Sequence, residues 1–255
     1  MLSSAGCNRP ESKARTTEEQ TPRPEPILHA DDDARTVLEK AAKAAGGEGA
    51  SARWKCGSVK FRTTGSSLPI GMSEGLVEET FQLPGQFKRV VSGKEGVVEH
   101  TLVFVLDQGQ WWMKMDRAPA QLIDVAVPEK TEHQFADLTR IPPVAEKDLQ
   151  LIPPGRLIDG HAVIGVRMRR GELDPVECYF STETGLMLEI RKTIPSDDPD
   201  KPAVITTHFS HYKNFQGCMV PMRFKGVKDG TVFLDVSIID VKFEQHIDDA
   251  VFAKP

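Results

Sequence analysis

His208 and His211, three residues apart, are the pair in this chain that most invites a metal reading. They fall in an alternating stretch that reads as a strand. Side chains there change sides with a period of two, so a spacing of three sends the imidazoles to opposite faces. The run Asp197-Asp198-Pro199-Asp200 could hold calcium, but it lacks the glycine and the distal glutamate of a calcium loop and reads as a solvated hairpin loop. Glu78 and Glu79 are neighbours in a strand and so face apart, which removes paired-carboxylate chemistry. No Gly-x-Ser-x-Gly context surrounds any serine. Gly46-Gly47-Glu48-Gly49 follows a predicted helix instead of opening one, the wrong end for binding phosphate. The chain therefore reads as a non-enzyme, with no catalytic residue, no metal ligand and no cofactor expected.

Four cysteines remain to be placed. Met1-Leu2-Ser3-Ser4-Ala5-Gly6-Cys7 resembles the end of a bacterial lipoprotein signal, in which small residues precede the cysteine that is lipidated. Ser4 stands where leucine is usual, and no basic or long apolar stretch precedes it. Either the native start lies upstream or the match is accidental. The segment 8–26, rich in Pro, Glu, Lys, Arg and Thr, favours the first: it cannot pack and suits a flexible tether behind an anchored Cys7. Residues 1–30 are thus expected to be a signal remnant and tether, and 31–255 a single domain. Cys56, Cys178 and Cys218 form no CxxC pair, which disfavours zinc. In a sequential meander Cys178 and Cys218 lie three strands apart, roughly 14 Å at ~4.8 Å per strand, beyond the ~7 Å reach of a disulfide, so free, half-buried thiols are expected unless barrel curvature brings Cys56 beside one of them.

A net charge of −5, with Lys and Arg scattered along the strands, leaves no basic footprint for nucleic acid. No apolar run approaches the ~20 residues of a membrane helix.

The elements that must position any site are mostly strands. Asp31-Asp32-Asp33 offers caps for a helix over 33–45, whose Val37, Leu38, Ala41, Ala42 and Ala45 share a face, and Gly46-Gly47 is expected to stop it. Strands follow at 53–63, 75–83, 87–92, 97–106 and 110–115. Both faces of Leu102-Val103-Phe104-Val105-Leu106 are apolar, so that strand must be covered on both sides. Prolines at 119, 128, 142, 143, 153 and 154 break the rhythm, and short helices are predicted for an insert at about 118–150. Strands resume at 162–169, 176–180, 186–193, 204–212, 219–225 and 231–243, joined at turns such as Asp159-Gly160, Gln216-Gly217 and Asp229-Gly230.

The wording of the C-terminal part, Tyr179-Phe180-Ser181-Thr182-Glu183-Thr184-Gly185-Leu186, then His211-Tyr212-Lys213-Asn214-Phe215-Gln216-Gly217, Val220-Pro221 and the ending Ile247 to Pro255, resembles the lipoprotein-carrier (LolA/LolB-like) superfamily, most of all its uncharacterised planctomycete-type envelope members. The resemblance covers roughly 33–255 and is strongest in those motifs. It implies a mainly β (α+β) fold: an incomplete antiparallel barrel of about eleven strands wrapped around a helical lid.

It also implies a periplasmic, membrane-anchored envelope protein that binds a lipid or acylated protein in its cavity. The rival is an interaction or sensor module on the same scaffold, its core filled by its own side chains. Trp111 and Trp112 are adjacent and must face opposite sides, so one lines the interior, in the pliable company of Met113 and Met115. Trp112 is taken as the lining residue, with Phe61, Phe81, Phe104, Leu188, Phe224 and Leu234 around it.

Overall fold

A computed structural model describes residues 25–66, 68–69, 71–123, 146–169, 175–194 and 202–255. The helices are α1 (Ala34–Ala44) and α2 (Gly47–Arg53). The first six strands are β1 (Cys56–Thr64), β2 (Glu74–Gln82), β3 (Gln86–Glu95), β4 (Val98–Asp107), β5 (Gln110–Met115) and β6 (Gln121–Ile123). Seven more follow: β7 (Leu149–Ile158), β8 (His161–Met168), β9 (Val176–Ser181), β10 (Met187–Ile194), β11 (Ala203–Phe215), β12 (Cys218–Lys228) and β13 (Thr231–Phe243).

All thirteen form one antiparallel sheet, ordered β6-β5-β4-β3-β2-β1-β13-β12-β11-β10-β9-β8-β7. Two meanders therefore meet where β1 pairs with β13, and the sheet is left open between β6 and β7. This is the expected half-barrel, with thirteen described strands where about eleven were expected.

Four hairpins close through two-residue turns at Gln108-Gly109, Asp159-Gly160, Gln216-Gly217 and Asp229-Gly230. Both central residues of each have positive φ. That backbone matches the twist of the flanking strands, and it explains why these residue pairs act as punctuation.

α1 is capped as expected: the Asp33 carboxylate accepts from the Thr36 N–H at 2.7 Å. Its buried Val37, Leu38 and Ala41 pack on Ile164, Val166, Met168, Cys178, Phe180, Ile190 and Phe209 from β8 to β11. Gly46 turns the chain at φ 116, but the chain does not leave helix there. Gly47 opens α2, which corrects the reading of Gly46-Gly47 as a plain stop. Ala50 and Trp54, in and after α2, cover Val59, Phe81, Phe87, Leu106, Trp111 and Val220. Both helices thus lie on one face of the sheet, the concave one.

Two other expectations need correction, at residue 31 and at Pro153-Pro154, and the insert is narrowed at its ends. Packing begins before residue 31, because Leu28 is buried under α1 and the Ile27 and Leu28 N–H groups donate to the Thr182 carbonyl. The predicted helical insert at 118–150 is bounded by strands at both ends, β6 and β7; residues 124–145 lie outside those described. β7 accommodates Pro153-Pro154 because it is an edge strand, with the register against β8 broken between Ile152 and Arg156. Proline lacks a donor and is tolerated at edges and bulges.

The doubly apolar stretch of β4 is covered on both sides. Leu102 and Leu106 face the concave side. Val105 is enclosed on the convex side by Ile247 and Phe252 of the C-terminal segment, whose single helical turn spans Asp249–Phe252.

Candidate functional site on the concave face

Residues paired across an antiparallel ladder share a face, so the register fixes the floor of the concave side. One row runs Gly57, Phe81, Phe87, Leu106, Trp111 and Ile123; the next runs Val59, Glu79, Arg89, Phe104, Met113 and Gln121. A third begins with Phe61, Val77, Val91 and Leu102. Apart from the Glu79–Arg89 pair and Gln121, all of these are apolar or glycine.

Glu79 has no exposed side-chain surface, and Arg89 donates from Nε to its Oε1 at 2.6 Å. Burial raises the carboxyl pKa above the ordinary value, against the opposing pull of the arginine. Adjacent Glu78 faces the other way, toward Lys60.

Phe61, Phe81 and Phe104 come together on this floor. Phe224 lies on the same face but farther along, against Phe209 with ring centroids 6.3 Å apart, in the cluster under α1. Leu234, opposite Gly226 on β12, stands outside the buried clusters.

Two expected lining residues face the other side. Trp112 pairs with Val105 and packs on the convex face, with the Lys254 ammonium 4.2 Å from its ring centre. Trp111 takes the concave position, its ring 6.1 Å from Phe87. Alternation alone required one indole inside, and only the register could say which.

Leu188 packs with Ile152, Ile158, Val163 and Tyr179 on the convex side. A register shift between Met187 and Glu189 makes Leu188 the extra residue and breaks the alternation that would have turned it inward.

The convex face carries its own polar network, which sequence reading missed because its members are dispersed over 52 positions from Arg156 to His208. Glu189 is enclosed and receives two bonds from Arg156, at 2.7 and 3.0 Å, with His208 Nδ1 at 3.4 Å. Arg156 lies 4.7 Å from the centre of the Tyr179 ring, and the Tyr179 hydroxyl donates to Glu177, which also pairs with Arg167. A cleft of about 300 Å³ beside it is lined by Arg167, Pro175, Glu177, Arg191, Thr193 and Val204. Every carboxylate here is paired with a base, so the network reads as a brace across β7 to β11.

His208 therefore serves Glu189, while His211 sits at φ 58 beside the Ser210 hydroxyl. Among the described residues no group of three or more His, Cys, Asp or Glu side chains could hold a metal. The Asp197–Asp200 run and Cys7 fall outside those residues. Cys56, Cys178 and Cys218 are buried and form no disulfide, and burial raises the thiol pKa of Cys56 and Cys218.

The motifs that carried the resemblance are the seats of the helices. A Cβ on Gly185 would lie 2.9 Å from that of Ala44, and one on Gly46 would lie 2.2 Å from the Gly217 carbonyl oxygen. Asn214 accepts from the Gly217 N–H and shapes that turn.

A LolA superfamily protein from Nitrosomonas europaea has the same architecture, with a TM-score of 0.53 over 88% of this chain and 98% of its own, at 15% identity. The fold is that of the LolA superfamily. An outer membrane lipoprotein-sorting protein domain from Vibrio parahaemolyticus is similar over 85% of this chain and 97% of its own, with a TM-score of 0.50 and 10% identity. No family sequence model matches this LolA-like chain, and no curated protein does. Its likeness to solved structures is one of architecture.

Proposed function

We propose that this protein is a non-enzymatic envelope component that binds the apolar part of a lipid, or the acyl chain of a lipoprotein, on its concave face. The observation that carries this is the row-by-row apolar floor of an open sheet, from Gly57 to Ile123 and from Val59 to Phe104. The LolA superfamily and lipoprotein-sorting descriptions of its structural neighbours support the same reading. Binding is physical: each buried CH₂ contributes roughly 0.8 kcal/mol, so a chain of moderate length suffices without any covalent step. Lipidation of Cys7, with 8–26 as tether, would hold the domain at a membrane surface; nucleic acid is not a partner.

The rival, an interaction or sensor module, draws on the occupancy of the concave face by α1 and α2. Native mass spectrometry of freshly purified protein separates the two. Co-purifying lipid, or a thermal midpoint that rises with added fatty acid, supports the carrier reading, since a ligand that prefers the folded state must stabilise it. No bound mass and an unchanged midpoint at saturating fatty acid would replace it with the interaction module.

A further inference from the structure

Three buried side-chain atoms have no hydrogen-bond partner among the described residues: Thr63 Oγ1, Glu79 Oε2 and Trp111 Nε1. All three belong to the concave face. Buried polar atoms are nearly always bonded in native folds, and these three gather on one face.

Glu79 is the most telling of the three because of what it holds. Arg89 spends Nε on Glu79 Oε1, while its Nη1 and Nη2 donate to no described group. The Arg89 side chain is 30% exposed, so the outer edge of the guanidinium is not sealed. Around it are the Phe87 ring, 5.4 Å from the guanidinium carbon, and Phe104 directly opposite on β4. An oriented guanidinium in an apolar surround is a strong receptor for an acidic head group, because the planar fork matches two oxygens at once and little water competes.

We propose that Arg89 anchors the polar end of the bound molecule, so that the concave face selects acyl chains ending in a carboxylate or phosphate over neutral chains of equal length. Glu79 is a positioning residue: it holds Nε and turns the Nη edge toward the ligand. Burial raises the Glu79 carboxyl pKa above its ordinary value, while the Arg89 guanidinium pulls the other way. The inference rests on the apolar-ligand reading and adds head-group selectivity to it.

The test uses the full chain and three twelve-carbon probes: dodecanoate, dodecanol and dodecyl phosphate, titrated by calorimetry. The expected result is that an acidic probe binds at least about tenfold tighter than dodecanol, equivalent to ~1.4 kcal/mol. Arg89→Gln should abolish that preference by weakening the acidic probes at least about tenfold more than dodecanol, while Arg89→Lys restores only part of it. Because Arg89→Gln leaves Glu79 unpaired, the double variant Glu79→Gln/Arg89→Gln supplies an uncharged pair that folds without that burden and should behave the same way. A preference for dodecyl phosphate over dodecanoate assigns the head to a phospholipid-type source, and the reverse to a free fatty acid. Equal binding of all three by the native protein, or an acid preference that survives in both variants, overturns the head-group inference alone. Failure of every probe to bind overturns the apolar-ligand reading beneath it.

Discussion

Gly46 and Gly217 meet backbone to backbone: a Cβ on Gly46 would stand 2.2 Å from the Gly217 carbonyl oxygen. The neighbouring Met219 N–H donates to the Ala45 carbonyl at 3.1 Å, so the corner between α1 and α2 is fastened to the β11–β12 turn. Both helices depend on this seat for their place over the concave face.

Gly46→Ala should therefore destabilise the fold strongly. Backbone strain at φ 116 costs about 1–3 kcal/mol, and the clash with Gly217 adds to it. Gly47→Ala, at φ 65 with open space around the position, should cost only the left-handed penalty of about 1–2 kcal/mol. Urea melts of the two variants give the comparison, and equal midpoints would contradict the close approach.

Glu79 should leave a signature in the pH dependence of stability. Its folded pKa is raised above 4.5 by burial. Such a carboxyl holds its proton more tightly when folded, so its contribution to stability is full below about 4.5 and is lost as pH rises through the folded value. Glu79→Gln cannot ionise. The stability of the native protein relative to this variant should fall as pH rises above that point, as read by denaturant titration at several pH values; a constant difference would show that burial does not dominate at this site.

The two adjacent tryptophans should report differently on the ligand. With Trp54→Phe/Trp112→Phe leaving Trp111 as the remaining indole, dodecanoate should change the emission maximum and intensity. With Trp54→Phe/Trp111→Phe, leaving Trp112 beneath Lys254 on the convex face, emission should stay constant. A response from Trp112 alone would move the site to the convex side.

The C-terminal segment should behave as core. Phe252 is fully buried against the convex side of β4, so Phe252→Ala should cost about 3–5 kcal/mol. A thermal midpoint within a degree or two of the native protein would mean that the segment is dispensable.

Alternation, turn residues and caps are local, and they were enough to announce an antiparallel meander opened by a helix. Gln108-Gly109, Asp159-Gly160, Gln216-Gly217 and Asp229-Gly230 close hairpins because glycine and small polar residues accept positive φ, and Asp33 caps α1 because its carboxylate reaches the Thr36 N–H. The need to cover both faces of Leu102 to Leu106 was equally legible, since apolar surface on two sides cannot be left in water. Which segment provides that cover was not, because Ile247 and Phe252 lie some 140 residues downstream of β4.

The face of each strand was settled only in three dimensions. Period-two alternation separates Trp111 from Trp112 but carries no sign; pairing with Leu106 and Val105 supplies it. A single bulge between Met187 and Glu189 reverses the phase and turns Leu188 outward. The Glu79–Arg89 and Arg156–Glu189 pairs join residues 10 and 33 positions apart, on neighbouring strands in the first case and across intervening ones in the second. Local signals in the chain determined an antiparallel meander with a helix before it, because they repeat within a few residues, and the half-barrel was what the family resemblance implied. Where its charges are buried, and on which side, was decided by strand register, which only long-range pairing fixes.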